Sequence, residues 1–155
     1  MVSKVIIGKE EWCGLAELGL PAIKARIDSG AKTSSLHAFN IHPFEENGVK
    51  YVHFDIHPIQ DNRRIIQSCR GVVVDRRSVK SSSGEKEKRL VIKTPVTVGD
   101  ETWDIEITLT NRDSMGYRML LGREAMRERV LIDQDSSFCL GQKDEREVTK
   151  YYKKT

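Results

Sequence analysis

Apolar residues recur along this chain in short runs with a two-residue period, punctuated by glycine, asparagine and aspartate. Alternation of this kind turns one face of an extended strand inward and the other outward. Val5-Ile6-Ile7 predicts a first strand and Trp12-Cys13-Gly14-Leu15 a second, and residues 23–27 alternate up to Asp28. Residues 36–41 and 51–56 lie on either side of Glu45-Glu46-Asn47-Gly48, which reads as a hairpin turn. Ile65-Ile66 and residues 71–74 continue the β signal, and residues 90–98 and 102–109 flank a second hairpin turn at Gly99-Asp100-Glu101. One helix is expected over about residues 123–129, ending before Val130-Leu131-Ile132. Many short strands at turn-punctuated spacing predict an all-β fold, closed into a barrel with one short C-terminal helix. Residues 142–155 are charged and show no apolar period, so they read as a disordered tail, with a surface helix as the alternative. That leaves residues 1–141 as the folded domain.

Length narrows the picture. A chain of 155 residues can bury a sizeable core but is too short for two full domains. No segment has the apolar length of a membrane span, and the N-terminus lacks a signal-peptide pattern. Cys13, Cys69 and Cys139 are an odd, widely spaced set, which reads as buried reduced thiols rather than a disulfide framework and predicts a cytoplasmic location.

Charge changes the picture more through its distribution than its sum. The net charge is +3, yet residues 63–93 carry ten basic side chains and three acidic ones. Arg76, Arg77, Lys80, Lys86, Lys88 and Arg89 surround Ser81-Ser82-Ser83-Gly84. Such a loop is either a solvated surface or a mobile flap over a substrate, and a basic flap favours an acidic substrate.

Two motifs carry the candidate chemistry. Asp28-Ser29-Gly30-Ala31 follows the alternating run and precedes Lys32-Thr33-Ser34-Ser35-Leu36. A carboxylate that activates water needs a rigid turn that leaves it reachable and fixes its orientation. Gly30 permits backbone angles and close approaches that other residues forbid, Ser29 can donate across a symmetric partner turn, and Ala31 leaves room beside the carboxyl. Taken alone, the tetrapeptide is equally an ordinary Asp/Ser/Gly turn. Met119-Leu120-Leu121-Gly122-Arg123-Glu124 supplies a second signature, an apolar pair followed by Gly-Arg entering a helix. Together the two resemble the retropepsin-like aspartic proteases. That chemistry needs two carboxylates sharing one proton, and this chain has one Asp-Ser-Gly; Asp113-Ser114-Met115-Gly116 and Asp135-Ser136-Ser137 lack the pattern. The resemblance therefore implies a homodimer with one Asp28 from each subunit.

The resemblance narrows further. The blocks 27–36, 79–84 and 121–126 are similar to a bacterial and archaeal family labelled ATP-dependent zinc proteases, over residues 5–141. Members are often encoded near ATP-grasp ligases that add glutamate to proteins or peptides, which implies an acidic or glutamylated substrate and a functional link to such a ligase. The resemblance implies Asp28 as the catalytic carboxylate, Ser29, Gly30 and Ala31 as its turn, and Leu121, Gly122 and Arg123 as the supporting strand-to-helix element. Lys32, Arg76, Arg77 and Lys80 are the expected substrate-binding residues. Lys32 stands where viral members carry an acid that pairs with the later arginine, so Arg123 needs another acceptor. The zinc in the label finds no His-Glu-x-x-His here. His53 and His57 are four apart in a strand, about 13 Å, too far for one ion, and a site from His37, His42, His53 and Cys69 is the remaining metal option. No phosphate-binding loop motif is present, so no cofactor and no metal are expected. The alternative function is a non-catalytic β-barrel module that binds an acidic protein or nucleic acid through the basic loop; six per cent aromatic residues offer little for base stacking.

Overall fold

The computed structural model describes residues 4–80, 83–111 and 116–152. Ser81 and Ser82 of the expected flap, and Asp113, Ser114 and Met115, lie outside the described residues. Strands come first and dominate. β1 (Val5–Ile7), β2 (Glu10–Leu15), β3 (Leu20–Ile27) and β4 (Ser34–His37) are followed by the hairpin β5 (Phe39–Glu46) and β6 (Val49–Ile56). A long hairpin, β7 (Gln67–Lys80) and β8 (Lys86–Val98), leads into β9 (Glu101–Thr110) and β10 (Met119–Leu121). Helix α1 (Arg123–Met126), β11 (Val130–Ile132) and helix α2 (Glu145–Tyr152) complete the described chain.

Nine strands form one sheet in the order β2-β3-β10-β4-β9-β8-β7-β6-β5, and β2 also pairs with β8 through Gly14 and Thr97. That extra pairing returns the six strands from β2 to β8 on themselves as a ring, from which β7, β6 and β5 extend. β1 and β11 form a separate two-stranded parallel sheet. The expected all-β architecture is thus present, as a closed ring with an outrigger of three strands. The core holds Trp12, Leu15, Ile23, Leu36, Ile107 and Leu121, all buried; side chains of this size each contribute about 1.5–3 kcal/mol when fully withdrawn from water.

Turn chemistry sets the register. Asn47 and Gly48 have positive φ of 53° and 79°, the geometry that matches the twist of a two-residue hairpin between β5 and β6. Gly99, at φ 62°, does the same work between β8 and β9.

The structure departs from the sequence reading in five places. The expected basic loop is mostly paired strand, with Arg76 opposite Leu90, Arg77 opposite Arg89 and Lys80 opposite Lys86. Ile65 and Ile66 precede β7 instead of forming a strand, and Ile66 is exposed. The predicted helix stops at Met126. Cys139 is exposed, although Cys13 and Cys69 are buried as expected. The charged tail is ordered over α2, whose Val148 and Tyr152 are buried. Four residues apart on a helix, these two form a one-sided stripe too sparse to show as a period. The Tyr152 hydroxyl donates to the Ala22 carbonyl and accepts from the Ala22 amide, and Lys24 pairs with Glu145 at 2.7 Å.

Candidate active-site turn and cleft

The two sequence signatures meet. β10 lies between β3, to which it is parallel, and β4, to which it is antiparallel. At the end of β3, the Ile27 amide donates to Lys9 O (2.9 Å) and the Asp28 amide to Leu121 O (3.0 Å). Beyond the turn, the Arg123 amide donates to Ala31 O (2.7 Å) and the Glu124 amide to Lys32 O (3.0 Å). The first amides of α1, which its own helical bonds leave unused, thus hold the far side of the turn. Gly122 N donates to Ser34 Oγ at 2.9 Å. A Cβ at Gly122 would stand 2.7 Å from the Thr33 carbonyl carbon and 2.9 Å from Ser34 N, so backbone meets backbone where no side chain fits.

Asp28 is half-buried. Its Oδ1 accepts the Gly30 amide at 2.9 Å, an Asp-turn that fixes the carboxylate locally. Arg123, which the sequence leaves without an acid at Lys32, donates from Nη1 to Ser29 O at 3.3 Å. The arginine therefore braces the backbone of the turn directly.

A cleft of about 1360 Å³ opens beside the turn. Gly30, Ala31 and Lys32 line one side, Arg77 and Lys80 of the long hairpin another. Among the described residues, eight lysines and arginines line it against three carboxylates. Arg77 is engaged with Asp75 (2.6 Å) and Glu106 (2.7 Å), and Arg89 with Glu87 (3.1 Å). The Arg77 hydrogen bond, helped by the Arg76 amide, holds the Asp75 carboxyl below its ordinary range. Lys32, Lys80 and Lys93 make no ion pair among the described residues, so their charge is available to a ligand. Arg76 goes elsewhere: it lines a smaller groove of about 610 Å³ with Phe44 and Tyr51.

The candidate metal ligands are dispersed. His42 and His53 face each other across the β5–β6 hairpin, His37 is buried at the end of β4, and Cys69 pairs opposite Phe54. No three His, Cys, Asp or Glu side chains cluster as metal ligands among the described residues. Burial, reinforced by the charge of Glu11, pushes the Cys13 thiol up to about 12; burial, with the charge of Asp55, does the same at Cys69. Neither is a nucleophile near neutral pH.

Sequence reasoning missed two positions: Arg26, which lines the cleft, and Arg118, which is buried just before β10. The signal for Arg26 was its place between inward-facing Ala25 and Ile27 on an alternating strand.

A family model described as retropepsin-like aspartic endopeptidase RimB matches residues 6–143. The chain belongs to this RimB-like family. Its retropepsin-like fold, and the two signatures joined at Asp28 and Leu121, follow the family resemblance seen in the sequence. A protein named "Probable alpha-L-glutamate ligase" from Shewanella pealeana is 59% identical over 150 residues, covering 97% of this chain and 33% of the relative. A protein of the same name from Desulfotalea psychrophila is 52% identical over 153 residues, 99% of this chain and 33% of the relative. The chain thus spans about a third of the length of the curated relatives it matches, and the expected association of the family with glutamate ligases is borne out in their names. Among solved structures, a Legionella pneumophila protein of unknown function superposes with a TM-score of 0.76 at 31% identity, covering 90% of this chain and all of that one. No described helix is long and apolar enough to cross a membrane.

Proposed function

We propose that this RimB-like chain is a homodimeric aspartic peptidase that hydrolyses acidic or glutamylated peptides. The observation that carries the reading is the Asp28 turn, locked by Leu121 O on one side and by the start of α1 on the other. A turn held from both ends keeps a carboxylate in one orientation at no cost during reaction, which is what preorganised catalysis requires.

With one such turn per chain, the second carboxyl comes from a partner related by a two-fold axis. Two carboxyls a few ångströms apart cannot both ionise, so the pair shares a proton, as is familiar in aspartic proteases at large. The ionised member takes a proton from water while the oxygen adds to the peptide carbonyl carbon. The protonated member gives its proton to the carbonyl oxygen. Collapse of the tetrahedral intermediate breaks the C–N bond: the departing amine receives the proton taken from water, and one hydroxyl of the intermediate returns its proton to the other carboxyl as the product carbonyl re-forms. The dimer reading is supported by the β1–β11 sheet, where Ile6 and Leu131 stand opposite one another and are 57% and 53% exposed. Exposed apolar pairs on a short open sheet suit contact with a second copy. The acidic substrate is supported by the excess of basic side chains in the cleft, with Lys32, Arg77 and Lys80 as its proposed contacts, and by the relatives' name. Three unpaired cysteines fit a cytoplasmic location.

The test compares the whole chain with Asp28→Asn on glutamate-rich peptides. Asp28→Asn keeps the turn but removes the titrating group, so cleavage should fall by at least about 1000-fold while peptide binding persists. Tight binding without cleavage by the unaltered chain would favour the binding-module reading instead.

A further inference from the structure

Glu106 of β9 and Lys93 of β8 stand directly opposite each other, and both line the cleft. Cross-strand partners of this kind have Cβ atoms about 4.5–5.5 Å apart, within easy reach of an ion pair. Lys93 nevertheless makes none among the described residues. Glu106 turns instead to Arg77 of β7, one strand further off, and accepts from its Nη2 at 2.7 Å. Arg77 lies level with Arg89 on β8, four residues away from Lys93 along that strand. Side chains two residues apart on a strand share a face. The bridge therefore runs diagonally across the cleft side of β8, over the row of Val91, which is completely buried. That row continues through Thr108, Ser35 and Leu120, which all line the cleft. A ligand lying along this row meets the bridge at its end.

The two acids on Arg77 are not equivalent. Asp75 takes Nε at 2.6 Å, also accepts the Arg76 amide, and lines the smaller groove. Glu106 lines the cleft and has Arg77 as its one polar partner among the described residues. The side chains of Arg77 and Glu106 are 37% and 45% exposed, so water screens the pair and either member can leave it. Exposed pairs of this kind carry at most about a 5-fold preference. The fork of a guanidinium is best filled by a carboxylate on two nitrogens, and Glu106 uses one.

We infer that Glu106 is a specificity-determining residue: it occupies Arg77 in place of an acidic group of the substrate, and yields the guanidinium to a substrate carboxylate by swinging to Lys93. The exchange keeps every charge paired, since Lys93 receives the displaced carboxylate as Arg77 takes the new one. A neutral peptide offers Arg77 nothing in return and leaves the bridge closed. The inference rests on the acidic-substrate reading above, but the exchange itself is a matter of binding.

The test uses the full chain and two peptides with acetylated and amidated ends, one rich in glutamate and the other with glutamine at the same positions. Binding is measured by calorimetry in the Asp28→Asn background, alone and with Glu106→Gln, Arg77→Gln, both together, or Asp104→Asn. Asp104 is another carboxylate of the same cleft and controls for charge in general. Glu106→Gln removes the competitor while keeping its shape, so the glutamate peptide should bind about 3–5-fold more tightly and the glutamine peptide within about 2-fold of its former affinity. In the Arg77→Gln background the same substitution should bring no gain, and Asp104→Asn should bring less than half of it. Arg77→Lys replaces Arg77→Gln if the latter does not fold, and should likewise shrink the gain because it lacks the fork. An equal gain without Arg77, an equal gain from Asp104→Asn, or no gain from Glu106→Gln overturns the exchange. Cleavage of both peptides is followed in parallel in the chain with Asp28 intact. A gain that depends on Arg77, with no cleavage by that chain, overturns the peptidase reading and leaves the exchange standing.

Discussion

Gly122 shows how tightly a single position can be constrained. The requirement here comes from space, because Thr33 and Ser34 backbone atoms occupy the volume a Cβ would need. Backbone cannot rotate away as a side-chain end can. Gly122→Ala should therefore destabilise the fold by about 1–3 kcal/mol, the usual cost of overpacking. It should also lower peptide turnover by more than its stability loss implies, because Thr33 belongs to the loop that carries Asp28. Denaturant melts and cleavage rates on the same preparation check both parts. Glu11 is a contrasting case: it is completely buried, yet its carboxylate accepts the Gly8, Cys139 and Leu140 amides at 2.7, 2.8 and 3.2 Å. A buried charge with three donors is satisfied in place.

Among the elements, α2 is the one whose contribution is easiest to isolate. Tyr152 reaches the stretch of β3 that β10, paired only with Ala25–Ile27, does not cover. Its hydroxyl occupies both polar groups of Ala22 where a neighbouring strand would otherwise do so. Tyr152→Phe should leave them without partners and cost about 1–3 kcal/mol, read as a lowered denaturation midpoint with an unchanged slope. This helix also marks where the sequence was hard to read. Strands announced themselves because alternation is a property of neighbours, and the hairpins because Asn47-Gly48 and Gly99 need special backbone angles. The turn at Asp28 and its partner at Leu121 were visible as paired motifs. A helix resting on two anchors inside a charged run offers no period, and β4, buried over all four residues, offers no alternation. The arms of the basic hairpin were read as a loop because their charges face the cleft and solvent, and only the pairing across the sheet shows them to be strand.

At the scale of the whole molecule, the proposed chemistry depends on association. Ile6 and Leu131 are the exposed apolar pair on a sheet with open edges. Placing a charge there, as Ile6→Asp with Leu131→Asp, should shift sedimentation from dimer to monomer at micromolar concentration. Cleavage should fall in step with the dimer fraction, and in the unaltered chain it should fall on dilution. Retained activity in a proven monomer would rule out the shared-carboxylate mechanism. Net charge alone, at +3, would not have suggested an acidic ligand; the folded arrangement gathers basic side chains into one cleft while Glu10, Glu11 and Asp133 are engaged in hydrogen bonds outside it.

The lock between Gly122 and Ser34 joins positions 88 residues apart. During synthesis, the chain leaves the ribosome in order, and the aspartate turn emerges long before the glycine that clasps it. Closing so large a loop is slow and must precede the contacts that reward it. A half-made chain accordingly has the acid but not its clasp, and on the proposed reading it must then also meet a second copy. If the proposed hydrolysis holds, the chain is inert while nascent, which protects both itself and its neighbours on the polysome until β10 is in place.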